Sequence, residues 1–86
     1  MSLGALRKRI DEIDAELVRL LNERAGVAVE IGREKRSQGA PVVDAAREGQ
    51  VLDRVCCLNR GPISAAALQS IYRAVVKECS RLQGED

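Results

Sequence analysis

Arg24 stands where an apolar residue is due. Over the first forty positions, apolar side chains fall at Leu3, Leu6, Ile10, Ile13, Leu17, Leu20, Val27 and Ile31. Spacings that alternate between three and four make a helical seam. The place between Leu20 and Val27 belongs to position 24, and a guanidinium there costs several kcal/mol of desolvation unless it is paired. Two readings stay open. The side chain snorkels outward, towards Glu23 or Glu30, or it reaches into a cavity between helices and grips an anion. Lys35 follows Arg24 by 11 residues. On a helix that is three turns plus ~20°, so both point the same way, ~16 Å apart. They either converge on one ligand, or Lys35 is a solvated cation near a helix C-terminus. Arg7 is 28 residues from Lys35, or ~42 Å along the axis, beyond the reach of one small molecule on one chain. Two such helices laid antiparallel, centred near Leu21, bring Arg7 of one chain beside Lys35 of the other.

Asp44, Arg47 and Glu48 share one face at i, i+3 and i+4, either a small site or an N-cap followed by a solvated pair. Cys79 and Gln83, at i and i+4, point together. Other chemistries lack their residues. There is no His, and the three cysteines, Cys56, Cys57 and Cys79, include an adjacent pair and no Cys-x-x-Cys. Neither a metal site nor a disulfide framework is expected, and the cysteines read as small buried hydrophobes of a reducing compartment.

These residues need elements to hold them. A chain of 86 residues is one domain, 1–86, and one this short buries only ~60% of its unfolded surface. With disulfides and metal set aside, a partner subunit is the expected source of extra core. Apolar residues make up 45% of the chain but Tyr72 is the sole aromatic, so the core is aliphatic, which suits helices packed on helices. The breakers Ser37-Gln38-Gly39-Ala40-Pro41 and Asn59-Arg60-Gly61-Pro62 divide the chain into three. The spacing predicts an all-α chain: a long helix over about 4–38, a second over about 44–59 capped by Asp44, and a third over about 64–83 capped by Ser64. The second presents Val51, Leu52, Val55 and Cys56 on one side. The third presents Leu68, Ile71, Tyr72, Val75, Val76, Cys79 and Leu82. No alternation of period two predicts a strand. Gly84-Glu85-Asp86 reads as a polar tail. A net charge of +1 argues against a nucleic-acid footprint. No apolar run approaches the ~20 residues of a membrane span, and Arg7, Lys8 and Arg9 interrupt any signal-peptide core. A cytoplasmic protein is expected.

Several fragments, in order, are distinctive: Ala5-Leu6-Arg7; Leu20-Leu21-Asn22-Glu23-Arg24; Val29-Glu30-Ile31-Gly32-Arg33-Glu34-Lys35; Pro41-Val42-Val43-Asp44-Ala45-Ala46-Arg47-Glu48; and Cys79-Ser80-Arg81-Leu82-Gln83. Together, from about residue 4 to 83, they resemble the all-helical class of bacterial chorismate mutases. The resemblance implies an intertwined homodimer of three-helix chains with antiparallel long helices, and two sites for chorismate. Arg7 looks like a carboxylate clamp supplied to the partner's site, and Arg24 like the clamp in cis, supported by Arg47. Lys35 and Gln83 look like the two donors to the ether oxygen. Asp44 and Glu48 resemble the pair that orders Lys35 and holds the ring hydroxyl. Cys79 stands where some relatives carry Ser; a thiol is a weak donor, so a contact there runs through the backbone N–H.

The implied chemistry suits the inventory. Chorismate to prephenate is a one-molecule pericyclic rearrangement that needs no nucleophile, metal or cofactor. The protein holds a dianion in its reactive conformer and stabilises charge growing on the ether oxygen. Two rivals remain at this stage. One is an isochorismate pyruvate lyase on the same scaffold, disfavoured by Asp44 and Glu48. The other is a non-catalytic helical dimerisation module that senses an anionic metabolite. A three-helix DNA-binding unit fails on helix length and charge balance.

Overall fold

The computed structural model describes residues 2–84. Glu85 and Asp86, read from the sequence as part of a polar tail, lie outside them. Among the described residues the chain is three helices and no strand: α1, Leu3–Gln38; α2, Ala45–Leu58; and α3, Ala65–Gly84. Each boundary has a local cause. The Ser2 hydroxyl accepts from Ala5 N and starts α1 one residue earlier than predicted. Gly39 ends α1 in the left-handed region at φ 69°, where its N–H and that of Ala40 reach the carbonyls of Arg36 and Lys35. A glycine takes that conformation at no steric cost. Asp44 caps α2 and Ser64 caps α3, each accepting from the backbone N–H three residues on. Asn59 shapes the second turn, donating to the Ile63 carbonyl and accepting from Gly61 N.

The path is an open one. α3 packs against α1 and also against α2, while the backbones of α1 and α2 stay apart. The resulting body measures 55 × 24 × 15 Å, so its thin dimension is little more than one helix diameter of ~10–12 Å. Such a slab has almost no interior. Among the described residues, Ala28, Gly32 and Cys79 are the buried ones. The α1 seam is bare along its length: Leu3 is 63% exposed, Ile10 56%, Leu17 51% and Val27 50%. On α2, Val51, Leu52, Val55 and Cys56 are half-buried as expected. Cys57 is exposed, against the expectation of a buried thiol, because it falls one residue off that stripe. On α3 the expected face is covered except for Ile71. No helix of the described residues is long and apolar enough to cross a membrane.

α1 and α3 come closest at Gly32. A Cβ built there would lie 2.3 Å from the Gln83 carbonyl oxygen and 2.7 Å from its Cα. Backbone cannot step aside as a flexible side chain can. Gly32→Ala is therefore expected to push the C-terminal turn of α3 off α1, at about 1–3 kcal/mol of stability by the general cost of overpacking. Denaturant unfolding checks this; a variant as stable as the parent would contradict the close approach.

Candidate active site

The three helices surround one space beside the Gly32 contact. A cavity of about 230 Å³ opens between them. Its charged and polar lining comes from all three helices: Arg24 and Lys35 from α1, Asp44, Arg47 and Glu48 from the start of α2, and Gln83 at the end of α3. Val27, Ile31, Val42, Val51 and Val76 supply apolar walls, with Ala28, Cys79 and Ser80 between. Seven of the eight site residues named from the sequence therefore surround one space. Arg7 does not; it lies exposed towards the opposite end of α1.

Lys35 is the node of the site. Its ammonium donates to the Val42 carbonyl at 2.9 Å and to Gln83 Oε1 at 2.9 Å. It thereby joins the last turn of α1, the segment before α2 and the end of α3. Two of its three hydrogens are committed, and the third remains to donate. The Gln83 amide is oriented by the same bond. Its oxygen accepts from Lys35, so its N–H₂ group is the end left to donate. Lys35 is half-buried. With those two bonds it is not a freely solvated last-turn cation.

Arg24 is also half-buried, and its partner is aromatic. The guanidinium carbon lies 5.8 Å from the centre of the Tyr72 ring, within the ~6 Å at which a cation is drawn to a ring face. Glu23, one bridging candidate, pairs with Arg19 instead. The acidic residues depart from expectation in one respect. Asp44 Oδ1 accepts from Arg47 N at 3.0 Å as the cap of α2. No ion pair joins Lys35 to Asp44 or Glu48 among the described residues; the Val42 carbonyl and the Gln83 side chain order it instead. Glu48 lines the cavity one helical turn beyond Asp44, half-buried. Cys79 is buried at 5% exposure, and places its small side chain against the cavity one turn before Gln83.

Sequence reasoning missed Val42, Tyr72 and Gly32. The first acts through a backbone carbonyl, which any residue type provides. Tyr72 carried a signal as the sole aromatic, but its place beneath Arg24 requires the crossing of α1 and α3. The apolar walls were legible as seam residues and not as a lining.

The assembled cavity can hold a small anionic ligand. Three cations line it, and two of its donors, the Lys35 ammonium and the Gln83 amide, sit side by side at one end. The chain is similar to known proteins in sequence and in fold. The family model for chorismate mutase type II matches residues 6–84. The chain is 39% identical over 85 residues to a bifunctional chorismate mutase/prephenate dehydratase of Aquifex aeolicus, covering 94% of this chain and 24% of that protein. It is 47% identical over 73 residues to the one of Neisseria gonorrhoeae, covering 85% and 20%. It thus spans about a fifth to a quarter of the length of these curated relatives. A solved chorismate mutase of Thermus thermophilus superposes with a TM-score of 0.93 at 31% identity, over 98% of this chain and 96% of that one. The matched span holds every residue of the cavity together with the distant Arg7, and on that ground the chain belongs to the chorismate mutase type II family.

Proposed function

We propose that the protein rearranges chorismate to prephenate, working as a homodimer. The observation that carries the reading is the cavity, in which Arg24, Arg47, Lys35, Glu48 and Gln83 meet between apolar walls. In the reaction one C–O bond breaks as one C–C bond forms within a single molecule. Nothing is exchanged with solvent, so the protein's work is orientation and charge stabilisation. Arg24, held over the Tyr72 ring, grips one carboxylate, since a guanidinium fork matches a carboxylate. Arg47 adds positive charge beside it. The free hydrogen of Lys35 and the amide of Gln83 converge on the ether oxygen, where negative charge grows as the C–O bond breaks. Donors fixed in advance favour that transition state over the ground state. Glu48 accepts from the ring hydroxyl.

The second carboxylate needs Arg7 of the partner subunit. The isolated chain supports a dimer through its surface. It exposes 6619 Å², where a compact monomer of 9.4 kDa exposes about 5,000 Å². The excess of about 1,600 Å² is what one protomer of an obligate dimer loses at its interface, and the bare α1 seam lies within it. An antiparallel pairing of α1 with its copy covers that seam and carries Arg7 towards the other chain's Lys35.

Purified protein given chorismate is expected to form prephenate mole for mole, with no metal or cofactor added. Given isochorismate, it is expected to release no pyruvate. Chromatography separates the products. Pyruvate with salicylate would indicate the lyase instead, and absence of both turnovers would indicate a non-catalytic module.

Gln83→Glu tests the donor pair. A carboxyl at 83 sits beside the Lys35 ammonium, which favours its ionised form. Ionised, it accepts only and cannot donate to the ether oxygen. The rate near neutral pH is expected to fall about 10²–10³-fold, the usual cost of one such donor. Activity should return as acid protonates the carboxyl and fall again as pH rises through its pKa. The kcat–pH profile checks this; a profile like the parent's would place Gln83 away from the reacting oxygen.

A further inference from the structure

Arg36 neighbours Lys35 but does not line the cavity. Its Nη1 donates to the backbone carbonyl of Gln83 at 2.6 Å. α3 ends at Gly84, so that carbonyl belongs to the last turn, whose C=O groups have no partner within the helix. A cation at a helix C-terminus also meets the negative end of the dipole, and a charge-assisted bond of this kind is stronger than a neutral one. Arg36 and Gln83 are both half-buried, which shields the bond from water. Gln83 is thus held from α1 at three points. Gly32 lets its backbone approach, Lys35 takes its side-chain oxygen, and Arg36 takes its backbone oxygen.

We infer that Arg36 is a positioning residue for the reaction: it fastens the end of α3 to α1 and so fixes where the Gln83 amide donates. Helix ends fray unless something holds them. Lys35 bonds only the side-chain oxygen of Gln83, so the backbone of that last turn needs an anchor of its own. A misplacement of about 1 Å in such a group costs about 10²-fold in rate. The inference rests on the reading of Gln83 as a donor to the reacting oxygen, and its test separates the two.

The test is a four-cornered cycle of the parent, Arg36→Met, Gln83→Ala and the double variant, with kcat and KM measured on each as the assembled protein. Arg36→Met is expected to lower kcat about 10- to 100-fold and to leave KM nearly unchanged, because the carboxylate clamps are untouched. In the Gln83→Ala background the same change should have no further effect on kcat, since the group it positions is gone. Arg36→Lys, which keeps a cationic donor, should recover most of the loss. If Gln83→Ala turns over at the parent rate, the reading of Gln83 fails. If Gln83→Ala is slow but Arg36→Met keeps the parent kcat, or lowers it equally in both backgrounds, the positioning role is overturned and the Gln83 reading stands. Should Arg36→Met fail to fold, Arg36→Gln, which loses charge and reach but keeps an amide donor, goes through the same cycle with the same deciding outcomes.

Discussion

The apolar seam of α1 cannot be covered by its own chain, and the rest of the molecule is arranged around that constraint. α1 has 36 residues, against 14 in α2 and 20 in α3. α3 packs along part of it, and the backbone of α2 does not approach it. Single chains therefore keep Leu3, Leu6, Ile10, Ile13 and Leu17 in water, a loss of hydrophobic free energy that so small a domain cannot sustain. The dimer proposed above removes that loss. It also gives Arg7 a use, because the helix that fails to bury its seam within one chain is the helix that carries Arg7 away from its own cavity. Stability and catalysis then share one interface.

Within the chain, the same helix sets the site by a short series of contacts near its C-terminal end. Gly32 permits backbone contact with α3, and Lys35 and Arg36 then grip the one residue brought close. Lys35 also holds Val42, which sets where the chain turns into α2 and hence where Asp44, Arg47 and Glu48 stand. The cavity is the space left between three rods fixed at one end. The rearrangement proposed above exchanges no atoms, and it asks only for cations to hold a dianion and two donors for one oxygen. A chain without histidine is no disadvantage there.

Much of this was legible in the sequence, and the reasons are specific. The helices were legible because breakers and caps are local chemistry; Asp44 and Ser64 cap α2 and α3 where their side chains predict. Arg24 was legible because a charge interrupts a regular apolar pattern. Which way it points was not, since that depends on Tyr72, 48 residues away. The ordering of Lys35 by Val42 was hidden because a carbonyl carries no residue signature. Gly32 was hidden for another reason. Gly4 and Gly26 lie in the same helix with nothing within 4 Å, so a glycine in a helix did not by itself mark the crossing. Arg36 was hidden because its partner is again backbone.

The composite site is tested most directly by mixing inactive chains. Arg7→Ala and Lys35→Ala, each nearly inactive alone, are unfolded together in equal amounts and refolded, and prephenate formation is measured. Random pairing makes about half the dimers mixed, and each mixed dimer has one site with both groups intact and one with neither, by two-fold symmetry. About a quarter of all sites are then intact, and about a quarter of the parent activity is expected. A parallel mixture of Arg24→Ala with Lys35→Ala carries both lesions in groups of the same chain, so every site keeps a defect and no recovery is expected. A first mixture that stays inactive, or a second that recovers as well, would contradict a site shared between chains.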